Sequence, residues 1–318
     1  MATPAPPFHG FFGQREIVRF LRRIALGSLK CGEAFPHTLC VGGSGLGKTR
    51  LAEALAQELD TGFHRIACSR ATAVVDIGLA ARGWQAHEIV FVDEVHALQA
   101  PVQEVLYRVM VEHKAPKVVD ASDGKRPTLD GEIDVPVVTV IGATDRPGDL
   151  RHAFHGRFVH LSTLRPYEIG EMTAIVKHTA TKERIVLTPQ AARFLAARCR
   201  GIPRCALHYM RKLHLFFPDQ VGNSEFTVAH VREFFEQDGV DDHGRTRDDR
   251  RYMDQLKNGS TKSLRTMSLV LQLDETYLRK HTEPWLLKQA WVEITSDGRG
   301  LTEAGVKIAS GAGQEVRP

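Results

Sequence analysis

Eight residues near the start of the chain, Gly42-Gly43-Ser44-Gly45-Leu46-Gly47-Lys48-Thr49, have the types and spacing of a phosphate cradle. They fit GxxxxGK[ST], between a strand-like run (Thr38 to Val41) and a helical pattern (Arg50 to Leu59). Glycines let the backbone curl until successive N–H groups point at one anion, and the following helix adds its positive end. Gly43, Ser44, Gly45, Leu46 and Gly47 would line the phosphates. Lys48 would bring a compact cation to the outer phosphates, and Thr49 a hydroxyl for Mg²⁺. Further along, Ile89-Val90-Phe91-Val92-Asp93-Glu94 is an apolar strand ending in two carboxylates. Ligands of open α/β sheets collect at that end of the strands. Asp93 would hold Mg²⁺, directly or through water, and Glu94 would act as general base on an attacking water.

These groups need a scaffold that brings them together. Besides the two strands above, Val135 to Gly142 reads as a third, and Pro101 to Val111 as an amphipathic helix. Alternation of this kind predicts a parallel sheet covered by helices, an α/β fold. Between Lys117 and Ile133 the alternation breaks, and Asp123-Gly124 predicts a projecting β-hairpin. From Pro166 to Glu236 the pattern is helical throughout, with Pro189, Pro203 and Pro218 at helix starts. Asp238 to Asp249 is polar and reads as a linker. Helices then lead to Val292–Thr295 and Gly300–Thr302 around the turn Asp297-Gly298. The expected division is 1–164, 165–240 and 241–318.

Composition sets the bounds. The 318 residues are 42% hydrophobic and 25% charged, which excludes disordered and disulfide-scaffold classes. The longest apolar stretch, Asp134 to Ala143, is too short for a membrane span, and Met1 to Phe8 has no secretory pattern. Net charge is +4, from 42 basic and 38 acidic residues, so any nucleic-acid surface must come from local clustering. Five cysteines without a CxxC pair predict free, mostly buried thiols and a reducing cytoplasm.

In order and spacing, these motifs resemble the RuvB family of AAA+ ATPases, the bacterial Holliday-junction branch-migration motors, over nearly the whole chain. The resemblance rests on Phe12-Gly13-Gln14, the P-loop, Asp93-Glu94-Val95-His96-Ala97-Leu98, Glu104-Val105-Leu106-Tyr107, Ile141-Gly142-Ala143-Thr144 and Arg200-Gly201-Ile202-Pro203-Arg204. Glu283-Pro284-Trp285-Leu286 and Gly298-Arg299-Gly300-Leu301-Thr302 extend it to a C-terminal winged helix. It implies an AAA+ P-loop domain, a helical lid and a winged helix. It also implies ATP and Mg²⁺ as cofactors, and a homo-oligomeric ring of six acting on branched duplex DNA. Arg157 stands at the family's arginine finger, which would serve the neighbouring subunit. Arg204 stands at sensor 2, Tyr167 at an adenine-contacting tyrosine, and Arg299 at a phosphate contact of the wing.

Three departures qualify the resemblance. Asp145 occupies the sensor 1 position, where a neutral polar side chain is usual, and a carboxylate there is repelled by a γ-phosphate unless it is neutralised or turned away. His155 and Gly156 replace the Arg-Asp pair before the finger. Their neighbourhood of His152, His155 and His160 lacks a metal-ligand spacing. The wing keeps Arg299 but has Ile294 and Asp297 where arginine is usual. Arg245, Arg247, Arg250 and Arg251 are clustered but interrupted by acidic residues. The 117–133 hairpin, which the resemblance assigns to docking on a RuvA-like partner, is charged through Asp120, Asp123, Lys125, Arg126, Asp130 and Glu132. Two functions therefore stand: an ATP-hydrolysing motor that migrates branched DNA, or an ATP-gated adaptor that recruits a partner without moving DNA.

Overall fold

The structure is a computed structural model that describes residues 8–119 and 127–310. Its residues divide into two compact units. One runs to Ile175 and takes in Gly201–Cys205; the other holds Val176–Arg200 and the chain from Ala206 on.

In the first unit, α1 (Arg15–Cys31) precedes β1 (Thr38–Val41), α2 (Lys48–Glu58), β2 (Phe63–Ala67), α3 (Val74–Ala81), β3 (Ile89–Asp93) and α4 (Ala100–Glu112). The hairpin β4 (Lys114–Val119) and β5 (Thr128–Asp134) follows, then β6 (Thr139–Thr144), α5 (His152–His155) and β7 (His160–Thr163). Five strands pair in parallel in the order β2-β3-β6-β1-β7. The central strands are apolar because both faces are covered: Ile89 to Val92 and Val140 are fully buried. The core joins the sheet to α3, α4 and the hairpin through Ile77, Leu106, Val109, Ala115, Phe154 and Phe158. Burying such side chains contributes about 1.5–3 kcal/mol each, which fixes the strand ends that carry the polar groups.

The third strand begins later than the sequence pattern suggests. Val135 to Val138 are not in the sheet: Pro136 has no N–H to give, and the Val137 carbonyl accepts from His87 N at 2.7 Å instead. The strand starts at Thr139 and runs through Thr144. The edge strands β2 and β7 carry no apolar run. Their sequences, Phe-His-Arg-Ile-Ala and His-Leu-Ser-Thr, are half exposed, so periodicity does not announce them. The hairpin strands form an antiparallel pair with an irregular register between Pro116 and Val118. Its turn, with Asp120, Asp123, Lys125 and Arg126, lies outside the described residues.

Across the boundary between the units run α6 (Ile169–Lys182) and, after β8 (Val186–Leu187) and α7 (Pro189–Arg198), α8 (Pro203–Phe216). The second unit continues with β9 (Glu225–Phe226), α9 (Val228–Asp238), α10 (Arg247–Asp254), α11 (Leu264–Leu271) and α12 (Glu275–Tyr277). A π-helical turn over Leu278–Thr282 leads to α13 (Glu283–Lys288), β10 (Val292–Thr295), β11 (Gly298–Leu301) and α14 (Glu303–Ala309). The helical stretch is not helical throughout: β8 and β9 make a short parallel pair. Thr188 caps α7 by accepting from Ala191 N, with Pro189 in the first turn, and Ser263 caps α11 in the same way. Tyr252, Met253, Met267, Leu278 and Leu286 form the winged-helix core.

The polar stretch from Asp238 to Asp249 is no free linker. Arg198, 3% exposed, donates to the Asp242 carboxylate at 2.8 Å and lies over the Phe194 ring. Burial pulls the Arg198 guanidinium down to about 10, against the raising effect of Asp242. Arg200 bonds the Gly244 carbonyl and buried Asp249, and lies over Trp285. Three arginines of the basic cluster are engaged in the same way: Arg245 pairs with Asp241, Arg250 donates to the Arg245 and Gly239 carbonyls, and Arg251 to Leu271.

Candidate nucleotide site

Strands β1, β3 and β6 are neighbours, so their C-terminal ends deliver three polar segments to one edge of the sheet. After β1 the chain turns through the glycine loop into α2. Gly42 and Gly45 have φ of 154° and 78°. A Cβ on Gly45 would lie 2.8 Å from Arg204 Cβ, and one on Gly42 2.9 Å from the Leu164 carbonyl, so both positions demand glycine. Lys48 Nζ donates to the loop carbonyls of Gly42 at 2.7 Å and Gly43 at 3.1 Å, holding the loop closed on its own cation. Beneath it, burial pushes the Cys40 thiol up to about 12, so it is inert packing.

At the end of β3, Asp93 Oδ2 accepts from Arg65 Nη2 at 2.6 Å. Arg65 sits beside it on edge strand β2, and no motif in the sequence marks it. Glu94 takes the left-handed conformation, φ 51°, which is uncommon for a non-glycine and turns its side chain away from the strand direction. Glu94 Oε2 lies 3.4 Å from His96 Nδ1, and Asp145 Oδ1 lies 3.5 Å from the same nitrogen. Thr144 is fully buried. Its hydroxyl bonds His96 Nδ1 at 3.0 Å and accepts from Arg146 N at 2.9 Å, so it is used internally. Asp145 also lies 3.7 Å from Arg146 Nε, so its charge has a cation on one side and an imidazole on the other. Glu94, His96 and Asp145 are the one trio of potential metal ligands among the described residues; His152, His155 and His160 form none. His96, missed as a site residue from sequence, is tied to both acids.

From the segment after β7, Tyr167 is buried at 5% exposure, and its hydroxyl donates to the Leu46 carbonyl at 3.0 Å. Burial raises its phenol above the ordinary tyrosine range. Its ring closes on Gly13, where a Cβ would come within 2.8 Å. Tyr167 thus braces the P-loop against the Gly13-Gln14 segment. Arg204 N donates to the Gly45 carbonyl, and Arg204 Nη1 donates to Ser44 Oγ at 2.8 Å, so the Arg204 side chain reaches the loop. Arg157 is elsewhere. Its exposed side chain donates to the Tyr107 hydroxyl at 2.9 Å, on α4.

The arrangement brings together a glycine-rich anion cradle, a lysine, two carboxylates and an arginine at one edge of the sheet. The profile of the Holliday junction DNA helicase RuvB P-loop domain matches residues 5–164. Those of the RuvB AAA lid domain and the RuvB C-terminal winged helix domain match 167–240 and 242–310. The chain belongs to the RuvB family. It is 32% identical over 295 residues to the Holliday junction branch migration complex subunit RuvB of Chloroflexus aggregans, covering 92% of this chain and 83% of that protein. The subunit of the same description from Prochlorococcus marinus strain NATL2A is 31% identical over 303 residues, covering 94% and 84%. The solved Thermotoga maritima RuvB, described as a Holliday junction branch migration motor, superposes with a TM-score of 0.78 at 26% identity and covers 94% of this chain. As a RuvB-family ATPase the chain binds nucleotide at the P-loop, and none of its described helices is long and apolar enough to cross a membrane.

In the wing, Arg299 has a partner in its own unit. Arg299 Nε donates to Glu283 Oε1 at 2.9 Å, and only 16% of the Arg299 side chain is exposed. The Tyr252 hydroxyl donates to the same carboxylate at 2.7 Å. This pairing fixes the Arg299 guanidinium through Nε within the winged helix.

Proposed function

We propose that this chain is an ATP-hydrolysing motor that drives branch migration or remodelling of branched duplex DNA. The observation that carries the proposal is the match of all three RuvB domains along one chain that also retains Lys48, Thr49, Asp93, Glu94, Arg157 and Arg204. We divide it into an ATPase domain (1–164), a lid (165–240) and a winged helix (241–318). In hydrolysis, water attacks the γ-phosphorus in line while its bond to the β–γ bridging oxygen breaks, so ADP leaves and inorganic phosphate forms. Glu94 accepts the water's proton, and Lys48, Arg204 and a neighbour's Arg157 stabilise the charge that develops. Thr49 and Asp93 are hard oxygen donors that fit Mg²⁺, which would neutralise phosphate charge when bound; Asp93 would first be released by Arg65. A finger acting in trans requires an oligomer, and a six-membered ring is the assembly we infer. The hairpin, about 117–133, is the surface we assign to a RuvA-like partner, and we place the protein in the cytoplasm with its DNA.

The adaptor reading is not favoured, because relatives matched over nine-tenths of the chain are branch migration subunits. The test is ATP turnover and four-way-junction migration by wild type and Glu94→Gln. A motor shows junction-stimulated turnover that Glu94→Gln abolishes, together with movement of the junction. Nucleotide binding and assembly without migration would return the adaptor.

A further inference from the structure

Arg157 can act on a neighbouring site only if its long side chain is presented at a fixed place. The backbone on both sides is already pinned. Phe154 and Phe158 are buried and pack edge to face at 5.3 Å. Arg157 N donates to the Phe154 carbonyl, and Phe158 N to that of His155, both at 3.1 Å. The side chain itself meets one partner twice. Arg157 Nη2 donates to the Tyr107 hydroxyl at 2.9 Å, and the guanidinium carbon lies 4.9 Å from the Tyr107 ring centre. Tyr107 packs against the main core of the ATPase unit, so it is a rigid post.

The helix that carries the post is held at both ends of this region. Arg151 N and Nη1 donate to Gln103 and Glu104 of α4, at 3.1 and 3.3 Å. On the other side Arg108 makes a two-pronged pair with Glu132 of β5, one prong at 2.6 Å, and also donates to Glu112. Helix α4 therefore ties the finger loop to the hairpin, with Tyr107 at the finger.

We propose that Tyr107 is the positioning residue for the trans-acting Arg157: its ring and hydroxyl hold the guanidinium in the pose from which it enters the neighbouring active site. The inference rests on reading Arg157 as a finger. A ring–cation contact and a charge-assisted hydrogen bond each restrict an otherwise free side chain, so the entropy of ordering it is met before the transition state.

Because the effect falls on the neighbour's site, it can be told from a packing defect. Tyr107→Leu lowers kcat for ATP about tenfold with little change in KM, and Tyr107→Phe, which keeps the ring, falls between it and wild type. Glu94→Gln subunits carry an intact finger but do not hydrolyse. Mixed with Tyr107→Leu subunits, they raise turnover above that of either alone, and they rescue Arg157→Ala in the same way. Rescue of Arg157→Ala without rescue of Tyr107→Leu overturns the role of Tyr107 alone. Failure to rescue Arg157→Ala overturns the finger and this proposal together. Tyr107→Leu turning over at the wild-type rate or faster also overturns it.

Discussion

Replacing Arg299 by alanine leaves a buried carboxylate with one hydrogen bond and no countercharge. In the wild-type structure Glu283, 4% exposed, accepts from Arg299 and from the fully buried Tyr252. Burial, reinforced by Glu283, drives the Tyr252 phenol far above its ordinary range, so it remains a donor and never a second anion. Deleting one partner of a sealed ion pair costs about 3–5 kcal/mol. Partial solvent access to Arg299 reduces this. We expect a loss of about 2–3 kcal/mol for Arg299→Ala. Trp285 and Trp291 belong to this unit and Trp84 to the other, so urea unfolding followed by tryptophan fluorescence in a Trp84→Phe background reads it. With a slope of about 1–3 kcal/mol per molar, the midpoint falls by about 1–2 M. An unchanged urea midpoint, with the slope of log affinity for DNA against log salt flattened by about one charge, would refute the reasoning and assign Arg299 to the DNA surface.

Gly45→Ala places a side chain at φ 78° and against Arg204, so a fluorescent ATP analogue should bind about five- to thirtyfold more weakly, from about 1–2 kcal/mol of strain; equal affinity would show that the loop shifts freely. Asp145→Asn removes a carboxylate held beside His96 and Arg146 and should raise ATP turnover severalfold; an unaltered rate means the acid does not face the reaction. Alkylation by iodoacetamide at pH 8 should modify exposed Cys31 first. Cys40 and Cys68, both pushed up to about 12 by burial, with Asp93 adding to the shift of Cys68, should resist until the pH is far higher; early labelling of Cys68, read by mass spectrometry, would contradict its environment.

The phosphate cradle and the Asp93-Glu94 strand end are legible in the chain alone because each is local. A run of glycines before Lys-Thr, or an apolar strand closing on two acids, needs only its own residues to say what backbone it makes and what charge it presents. The same holds for α4 and for the β10–β11 hairpin, whose apolar spacing and Asp-Gly turn lie within a few residues.

What only the tertiary structure decided is where charges are spent. Arg65 and Asp93 meet because β2 pairs with β3, and Tyr107 and Arg157 because α4 packs on α5. Arg299 pairs with Glu283, and Arg245, Arg250 and Arg251 with carbonyls and acids of their own unit, although in sequence the last three read as part of a polar linker. An arginine's sequence neighbours do not tell whether it faces solvent or a buried acid brought from far along the chain. Long-range packing sets its dielectric surroundings and its partner, and those two determine whether the charge stabilises the fold or is left for phosphate.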